Sequence, residues 1–396
     1  MPFGHRMLAH WMLDPAVTYL NHGTVGAVPR RVLAAAQAIR DEIERQPSGV
    51  LLRDVSGLVG VPRTAPTRMR TAAGAVARFV GARGSDVVFV DNATTGANAV
   101  LRSLPLEPGD ELLLTDQNYG ATARVAAFVA RERRAEIRTV PVPLPGFDPD
   151  RLVDDVVRAI GPRTRIAVID HITSESALIF PLAEIARACR ARGVQVLADG
   201  AHAPGVLPLD VPALGVDWYV ANLHKWAHAP RSSGFLWAAP ARQAELHPPV
   251  ISWGLDLGFT AEFDWVGTRD VSPWLAAPEG LRFLEDLGVD RAREYNHDLA
   301  WQAATTLCGR WGTTPAAGEA CIGAMATLAL PDRLGTTAAD AARLRDALLF
   351  KDRIEVQVHA AQGRLWTRIS AQVYNERSDF ERLGEAVERY ATHRPW

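Results

Sequence analysis

The sequence predicts an α/β protein built on a mostly parallel sheet of seven strands, with helices on both faces. From residue 85 to residue 238, short apolar runs alternate with amphipathic stretches of helical period. The runs are apolar at consecutive positions, which is typical of strands buried between two layers of helices. After residue 270 the pattern changes, which predicts a smaller α+β domain. We therefore expect a large domain at 1–270 and a small C-terminal domain at 271–396.

The same patterns give the individual elements. In the large domain we expect strands at Asp86–Val90, Glu111–Thr115, Glu136–Val142, Arg165–Asp170, Val194–Asp199, Trp218–Leu223 and Gly234–Ala238. Its helices are expected at Pro29–Gln46, Arg63–Phe79, Tyr119–Arg131, Asp150–Ile160, Leu182–Arg192 and from Asn98 onward. In the small domain we expect helices Pro273–Leu287, Asp290–Gly309 and Ser378–Tyr390, the last capped by Ser378, and strands Ala326–Leu330, Ile354–Val358 and Arg364–Ser370. Parallel strands end at one edge of a sheet, so ligands are expected there.

Composition and charge exclude several classes of protein. The 396 residues are 48% hydrophobic, and the net charge is −2. A nucleic-acid-binding surface needs a basic excess, so no nucleic-acid partner is expected. The three cysteines (Cys189, Cys308 and Cys321) are too few and too scattered for a disulfide framework or a zinc site. No signal pattern opens the chain and no apolar run reaches the ~20 residues of a membrane span, so we expect a cytoplasmic protein without membrane contact.

One stretch carries the strongest chemical signal. Asp199 ends one predicted strand, in Asp199-Gly200-Ala201-His202, and Lys225 follows the next, in Asn222-Leu223-His224-Lys225-Trp226. A lysine amine can form a Schiff base with the aldehyde of pyridoxal phosphate, and a carboxylate can keep the pyridine nitrogen protonated so that the ring accepts electrons. The chain contains only two lysines, at positions 225 and 351. This scarcity favours a catalytic Lys225 over an ordinary surface lysine.

A phosphate site is predicted where the strand Asp86–Val90 leads into a helix. The segment Asp91-Asn92-Ala93-Thr94-Thr95-Gly96 lies there. A helix start offers unpaired N–H groups and the positive end of the helix dipole, and the hydroxyls of Thr94 and Thr95 can add donors. The same residue types also cap helices for structural reasons alone. The segment by itself leaves both interpretations open.

Further candidates follow the other strands. Tyr119 comes after the second strand, where its ring could stack on the pyridine face or lie on the surface. Ser174 could donate a hydrogen bond to the phenolic oxygen of the cofactor. His202 could serve the same oxygen or only fill space. His224, next to the lysine, is a candidate phosphate ligand.

Two more candidates lie at the domain boundary and beyond it. Thr268, in Gly267-Thr268-Arg269-Asp270, has a hydroxyl that could reach a phosphate, although this segment could also be only a turn. Arg368 lies within the predicted strand Arg364–Ser370. A buried guanidinium needs a partner, which could be the carboxylate of an amino-acid substrate or an internal salt bridge.

Four motifs together resemble the isopenicillin-N-epimerase-like branch of the class V aminotransferase family. They are Leu20-Asn21-His22-Gly23, Asp199-Gly200-Ala201-His202-Ala203-Pro204-Gly205, His224-Lys225-Trp226 and Gly267-Thr268-Arg269-Asp270, and the resemblance runs from about Tyr19 to Tyr374. It implies an enzyme of pyridoxal-phosphate fold type I that acts on a small amino-acid substrate.

The resemblance also implies roles for individual residues. The cofactor would be bound to Lys225, with Asp199 under the pyridine nitrogen and Tyr119 stacked on the ring. The phosphate would be held by Thr94, Thr95 and His224, and by Thr268 of a neighbouring subunit, which implies a homodimer with a shared phosphate site. The substrate side would consist of Arg368, Asn21 and His22.

The sequence specifies the reaction less closely. Cysteine desulfurases of the same family carry a histidine at the ring and a nucleophilic cysteine before the substrate arginine. This chain has Tyr119 at the ring and no cysteine in Leu348–Arg368, so a persulfide mechanism is not expected. β-Elimination needs only Lys225 as base, whereas epimerisation needs a second group opposite it, for which Tyr119 and His22 are the candidates.

We therefore predict a carbon–sulfur β-lyase that acts on a bulky S-substituted cysteine in natural-product (antibiotic) biosynthesis. The tryptophans at 226, 253 and 265 fit a bulky substrate, although each could also be a core or dimer contact. The alternatives are an amino-acid epimerase and a decarboxylation-dependent oxidative deaminase. A non-catalytic pyridoxal-phosphate-binding protein is the alternative from a different class.

Overall fold

The computed structural model describes residues 2–57 and 65–393. The strands of this part of the chain are β1 (Thr18–Tyr19), β2 (Val87–Val90), β3 (Glu111–Thr115), β4 (Glu136–Val140), β5 (Thr164–Asp170), β6 (Gln195–Asp199), β7 (Trp218–Asn222), β8 (Gly234–Ala238), β9 (Met325–Ala329), β10 (Ile354–Glu355), β11 (Gln357–Ala361) and β12 (Arg364–Ser370). Its α-helices are α1 (His22–Val25), α2 (Arg30–Arg45), α3 (Arg68–Phe79), α4 (Ala93–Ser103), α5 (Gly120–Arg133), α6 (Pro149–Ala159), α7 (Leu182–Arg190), α8 (Phe259–Asp264), α9 (Ser272–Leu275), α10 (Ala277–Leu287), α11 (Val289–Trp311), α12 (Ala338–Phe350) and α13 (Arg377–His393).

The central sheet has seven strands in the order β2-β8-β7-β6-β5-β3-β4. Strands β7, β6, β5, β3 and β4 are parallel, whereas β8 runs antiparallel to both of its neighbours. The predicted α/β class and the mostly parallel seven-stranded sheet are therefore confirmed, and each predicted strand of this sheet lies within two residues of the observed one.

Helices cover both faces of the sheet, so consecutive residues of its inner strands enter different cores. In β5, Ile166 and Val168 pack into one core, and Ala167 and Ile169 pack into the other. This arrangement explains the continuous apolar runs of the sequence. Strand β4 differs, because it lies at the edge of the sheet and four of its five residues are exposed. The expectation of a strand buried on both faces is wrong for β4.

The C-terminal part contains an antiparallel sheet in the order β11-β12-β9, which packs with α11, α12 and α13 around its own core. The predicted strand Ile354–Val358 is divided in the structure. Its first half, β10, pairs in parallel with β1 of the N-terminal segment, and its second half begins β11. The N-terminal segment thus contacts the C-terminal part. The domain boundary at residue 270 stays a prediction.

Two predicted helix boundaries are wrong for reasons that involve capping. Helix α4 begins at Ala93 rather than Asn98, because the Asn92 side chain accepts a hydrogen bond from Thr95 N–H at 2.9 Å and caps the helix there. Ser378 is not the cap of the last helix. It lies inside α13, and the carboxylate of Asp379 accepts a hydrogen bond from the N–H of Glu376 at 3.0 Å.

Two further differences concern helices. The predicted helix Pro273–Leu287 is divided at Ala276 into α9 and α10, and Pro278 lies in the first turn of α10, where a missing N–H costs little. Helix α12 was not predicted, although a capping box of Thr337 and Asp340 marks its start. Residues 63 and 64 of the predicted second helix lie outside the described residues. Among those described, no helix combines the length and apolar character needed to cross a membrane.

Candidate active site

The carboxyl ends of β5, β6 and β7 enclose a cavity of about 230 Å³ together with the start of α4. Its lining includes seven residues that the sequence identified, namely Thr94, Tyr119, Ser174, Asp199, His202, His224 and Lys225. The expected edge of the sheet therefore brings together residues that are up to 131 positions apart in the chain.

Glycines allow the loop after Asp199 to approach the next strand. A Cβ atom on Gly200 would overlap the ring of Tyr219, and one on Gly205 would overlap the carbonyl oxygen of Trp226. Gly205 also has a positive φ of 88°, which other residues rarely adopt. The glycines of this motif therefore place the loop after Asp199 directly against the segment that carries Lys225.

Lys225 is buried, with 8% of its surface exposed, and its Nζ lies 2.9 Å from His202 Nε2. Burial, and then the charge of Arg368, lower the pKa of Lys225 to about 7, although Asp199 and Asp170 act in the opposite direction. A large fraction of this amine is therefore uncharged at neutral pH. Only the uncharged form can attack an aldehyde or accept a proton.

Asp199 is buried and has hydrogen bonds only to neutral donors among the described residues. One carboxylate oxygen accepts from the Thr122 hydroxyl at 2.9 Å, and the other from the N–H of Ala201 at 3.1 Å. Burial raises the pKa of Asp199 despite these bonds. Because the carboxylate is buried and has no cationic partner among the described residues, a cationic ring nitrogen would stabilise its charge. Thr122, which lies one helical turn after Tyr119, was not predicted from the sequence.

The structure adds a second carboxylate to this cavity. Asp170 ends β5, lies opposite Asp199 in the β5–β6 register, and lines the same cavity. It accepts a hydrogen bond from the side chain of Asn118 at 3.1 Å. Burial, and then the charge of Asp199, raise the pKa of Asp170 well above its usual range. The sequence contained a signal for it, because Asp170 ends an apolar run just as Asp199 does.

The predicted phosphate ligands occupy different positions. Thr94 lines the cavity, and its hydroxyl makes no hydrogen bond to another described residue. Thr95 does not line it, and both its N–H and its hydroxyl donate to the Asn92 side chain, at 2.9 and 3.3 Å. Thr268 is exposed and lines neither this cavity nor the adjoining one.

His224 lines the cavity with a neutral ring. Its Nδ1 donates to the carbonyl oxygen of Ser233 at 3.1 Å, and burial lowers the pKa of His224 to about 4. In this state Nε2 is an acceptor. His224 can therefore donate to a phosphate through Nε2 only after it takes up a proton, which the charge of a nearby phosphate would favour.

A second cavity, of about 620 Å³, adjoins the first and shares Thr24, Tyr119, Ser174 and Lys225 with it. Arg368 lines this second cavity. Its guanidinium donates to the Ser174 carbonyl at 2.6 Å, the Asn21 side chain at 3.1 Å and the Thr24 hydroxyl at 2.7 Å. Among the described residues Arg368 forms no ion pair. The internal salt bridge that the sequence left open is thus not observed in this part of the chain.

Asn21 and His22 form hydrogen bonds to two residues of the site, Arg368 and Lys225. Asn21 accepts from Arg368 and donates to Glu355 at 2.8 Å, so it orients the arginine. His22 lines neither cavity. Its Nε2 donates to the Lys225 carbonyl at 3.1 Å, and its Nδ1 accepts from the Tyr374 hydroxyl at 2.8 Å.

The residues of the first cavity fit pyridoxal phosphate. An amine that is partly uncharged at neutral pH, a carboxylate without a cationic partner and a threonine hydroxyl at a helix start all line one cavity. These are the groups that an aldehyde, a pyridine nitrogen and a phosphate require. Lys225, Asp199 and Thr94 are therefore the residues that would hold the cofactor.

Comparison with known proteins gives a consistent result. The family described as aminotransferase class-V matches residues 27–318. Isopenicillin N epimerase from Streptomyces clavuligerus is 35% identical over 95% of this chain and 96% of its own length. A probable chloroplastic L-cysteine desulfhydrase from Arabidopsis thaliana is 31% identical over 94% of this chain and 83% of its own length.

Solved structures show the same fold. The apo structure of a cysteine desulfurase from Thermococcus onnurineus NA1 superposes with a TM-score of 0.81 at 19% identity, over 99% of both chains. The predicted fold class and the predicted family are confirmed, and with them pyridoxal phosphate as the cofactor. The chain belongs to the class V aminotransferase family and is a pyridoxal-phosphate enzyme.

Proposed function

We propose that this protein is a carbon–sulfur β-lyase that acts on a bulky S-substituted cysteine in natural-product biosynthesis. The observation that carries the proposal is the cavity of about 620 Å³ that adjoins Lys225. Pockets of about 300–1,000 Å³ suit drug-sized ligands, whereas free cysteine has a side chain of only two heavy atoms. The cavity therefore favours a cysteine that carries a large substituent on sulfur.

The positions of the possible bases also support a lyase. Elimination requires one base at Cα, and Lys225 lines both cavities. Epimerisation requires a second group on the opposite face. His22, one of the two candidates for that role, lies behind the backbone of Lys225 with both ring nitrogens already bonded.

In this reaction each residue of the site has a separate role. Arg368 binds the substrate carboxylate, held in place by Asn21 and Thr24. Lys225 removes the proton from Cα, and Asp199 holds a proton at the pyridine nitrogen. When bound, the cofactor supplies an electron sink for the negative charge that develops at Cα. Tyr119, which lines both cavities, donates a proton to the departing sulfur.

An epimerase is the second candidate. Two observations favour it: the 35% identity to a protein named isopenicillin N epimerase, and the presence of Tyr119 in both cavities. A tyrosine hydroxyl there could return a proton to the face opposite Lys225. This candidate predicts exchange of the Cα proton without loss of the substrate.

A product assay in deuterated water separates the candidates. The holoenzyme is incubated separately with cysteine, with S-alkyl cysteines and with S-aryl cysteines, and oxygen is monitored. Release of pyruvate, ammonia and thiol, faster for the bulky substituents than for cysteine, is the expected result. Deuterium at Cα of recovered substrate would identify an epimerase. Oxygen uptake with carbon dioxide release would identify an oxidative decarboxylation.

We also propose a homodimer in which Thr268 of each subunit reaches the phosphate of the other. Support comes from the exposure of Thr268 and of a nearby apolar segment, in which Val250, Ile251, Trp253 and Leu257 are 53–80% exposed. Thr268→Ala is expected to weaken cofactor binding and dimerisation together, as measured by sedimentation at several cofactor concentrations. A monomer that holds the cofactor fully would contradict this proposal.

A further inference from the structure

We propose that Trp226 is a positioning residue that keeps the amine of Lys225 uncharged by fixing the tautomer of His202. The indole of Trp226, the ring of His202 and the amine of Lys225 form one hydrogen-bonded chain. This arrangement would prepare the cofactor-free protein to capture its aldehyde cofactor. It concerns the protein before catalysis and does not depend on which reaction follows.

The first link of this chain fixes one nitrogen of His202. The Nε1 atom of Trp226 lies 3.3 Å from His202 Nδ1, and an indole N–H can only donate. Nδ1 of His202 is therefore an acceptor and carries no proton. His202 is 1% exposed, and burial holds its pKa well below its usual range, so the ring is neutral.

The second link follows from the first. A neutral imidazole carries one proton, and since Nδ1 has none, the proton lies on Nε2. Nε2 is 2.9 Å from Nζ of Lys225 and must donate to it. An ammonium group has no lone pair to accept such a bond, whereas an uncharged amine has one. The geometry is thus compatible with an uncharged Lys225 and opposes an ammonium.

Other groups also act on Lys225. Its burial and the charge of Arg368 on β12 favour the uncharged form, whereas Asp199 on β6 and Asp170 on β5 favour the ammonium. His224, the preceding residue, is neutral at pH 7. The two carboxylates would restore the ammonium if His202 could accept from it. Trp226 prevents this by occupying the nitrogen that would otherwise hold the proton.

The protonation state of Lys225 affects how fast the protein captures its cofactor. Only the uncharged amine attacks an aldehyde, so the fraction of uncharged Lys225 sets the rate at which cofactor-free protein captures pyridoxal phosphate. Without the indole donor, His202 can carry its proton on Nδ1 and accept from an ammonium at Nε2. The pKa of Lys225 then rises and capture at neutral pH slows.

The scarcity of lysine makes the measurement simple. In cofactor-free protein labelled with ¹³C at the lysine side chains, Lys351→Arg leaves Lys225 as the single labelled lysine. Its chemical shift is followed against pH in this background. Trp226→Phe is expected to raise the pKa of Lys225 by about one unit, which corresponds to one hydrogen bond of typical strength.

The chain offers a matched control. Trp237 is also a buried tryptophan, but its Nε1 has no hydrogen-bond partner among the described residues. Trp237→Phe removes the same volume from the protein without changing His202. Its titration is expected to match that of the parent. An equal shift in both variants would mean that lost packing, not the tautomer, changes Lys225, and would overturn the proposal.

Two further measurements complete the test. The rate of cofactor capture, followed by the visible absorbance at several pH values, is expected to fall about fivefold at pH 7 in Trp226→Phe and to recover at high pH. The tautomer itself is read in the wild-type protein by ¹⁵N-histidine spectra, with His202→Gln to assign the signal. A proton on Nδ1 of His202 would overturn the proposal even if Trp226→Phe does not fold.

Discussion

The two edges of the central sheet differ in how the charges near their cavities are paired. At the amino edge, acidic side chains lie directly against arginines. Asp110 accepts from Arg165 at 2.7 Å, and the carboxylate of Asp217 accepts from Arg242 at 2.7 Å. Among the described residues at the carboxyl edge, Asp199 accepts hydrogen bonds only from neutral donors, and Arg368, which faces this edge from β12, donates only to neutral groups.

This difference indicates where a charged ligand can bind. A carboxylate that is already paired with an arginine has little to gain from a cationic ligand, whereas a buried charge with neutral partners is stabilised by one. The amino edge also has a cavity, of about 440 Å³, lined by Asp110, Arg165 and Arg242. It is larger than the cofactor cavity of about 230 Å³. The pairing of charges, not the size of the cavity, therefore distinguishes the functional edge.

The first prediction concerns the stability that the buried amine of Lys225 costs the folded protein. Lys225→Met in the cofactor-free protein is expected to raise the free energy of unfolding at pH 7 by on the order of 4 kcal/mol, because the pKa of Lys225 falls from 10.5 to about 7 on folding. Between these values the unfolded chain binds the proton and the folded chain does not, so folded Lys225 costs most below pH 7 and nothing above 10.5. Urea unfolding at pH 7 and pH 10 measures this.

Lys351→Met is the control for that experiment, since it is the other lysine of the chain. The gain at position 225 is expected to shrink as the pH rises, and Lys225→Met should also lack the visible absorbance of bound cofactor. A gain of the same size at both positions or at both pH values would show that Lys225 carries no special cost.

The next prediction concerns the guanidinium of Arg368. Arg368→Gln is expected to weaken substrate binding about 30-fold, the usual value of a hydrogen-bonded charge, while the cofactor dissociation constant changes less than about twofold. Arg364→Gln on the same strand, where Arg364 pairs with Asp332 at the surface, is the control. Titration of each variant with substrate and with cofactor gives both constants. Equal weakening of both ligands would mean that Arg368 is structural.

Much of this edge could be predicted from the sequence, because strand ends and the residues after them are local signals. Asp199 and Lys225 each follow an apolar run and were identified together with their chemistry. Asp170 and Thr122 were not, because their importance depends on which strands and helices become neighbours. Asp170 matters only because β5 pairs with β6 in a register that puts it beside Asp199.

The two threonines of the predicted phosphate site illustrate a finer limit. The sequence treats Thr94 and Thr95 alike. Successive side chains of an α-helix point about 100° apart, so only one of them can face the cavity. The cap at Asn92 fixes where α4 begins and thereby directs Thr94 to the cavity and Thr95 to the cap. A helix start placed at Asn98 could not make this distinction.

A smaller effect is expected at Asp170. Its pKa is raised by burial and by Asp199, so the folded protein loses stability as the pH rises above the usual range of an aspartate. Asp170→Asn is expected to stabilise the cofactor-free protein by on the order of 1 kcal/mol at pH 8 and by less at pH 5. Thermal unfolding at both values measures this, with the exposed Asp154→Asn as control. A larger gain at pH 5 would reverse the sign and contradict the assignment.

The smallest effect is expected at the amino edge. Burial alone would raise the pKa of Asp110, but hydrogen bonds from the Glu107 N–H and from Arg165 outweigh it and lower the pKa. The side chain of Arg165 is half exposed, so Arg165→Gln is expected to cost less than about 1 kcal/mol, and the loss should shrink in high salt.

The same variant tests the comparison of the two edges directly. If paired charges at the amino edge are purely structural, Arg165→Gln leaves the cofactor dissociation constant and the visible absorbance of bound cofactor unchanged. Urea unfolding and cofactor titration of one preparation provide both readouts. A clear change in cofactor binding would show that the amino edge influences the site through β5, since Arg165 and Asp170 lie on the same strand. The separation of a structural edge from a ligand-binding edge would then be wrong.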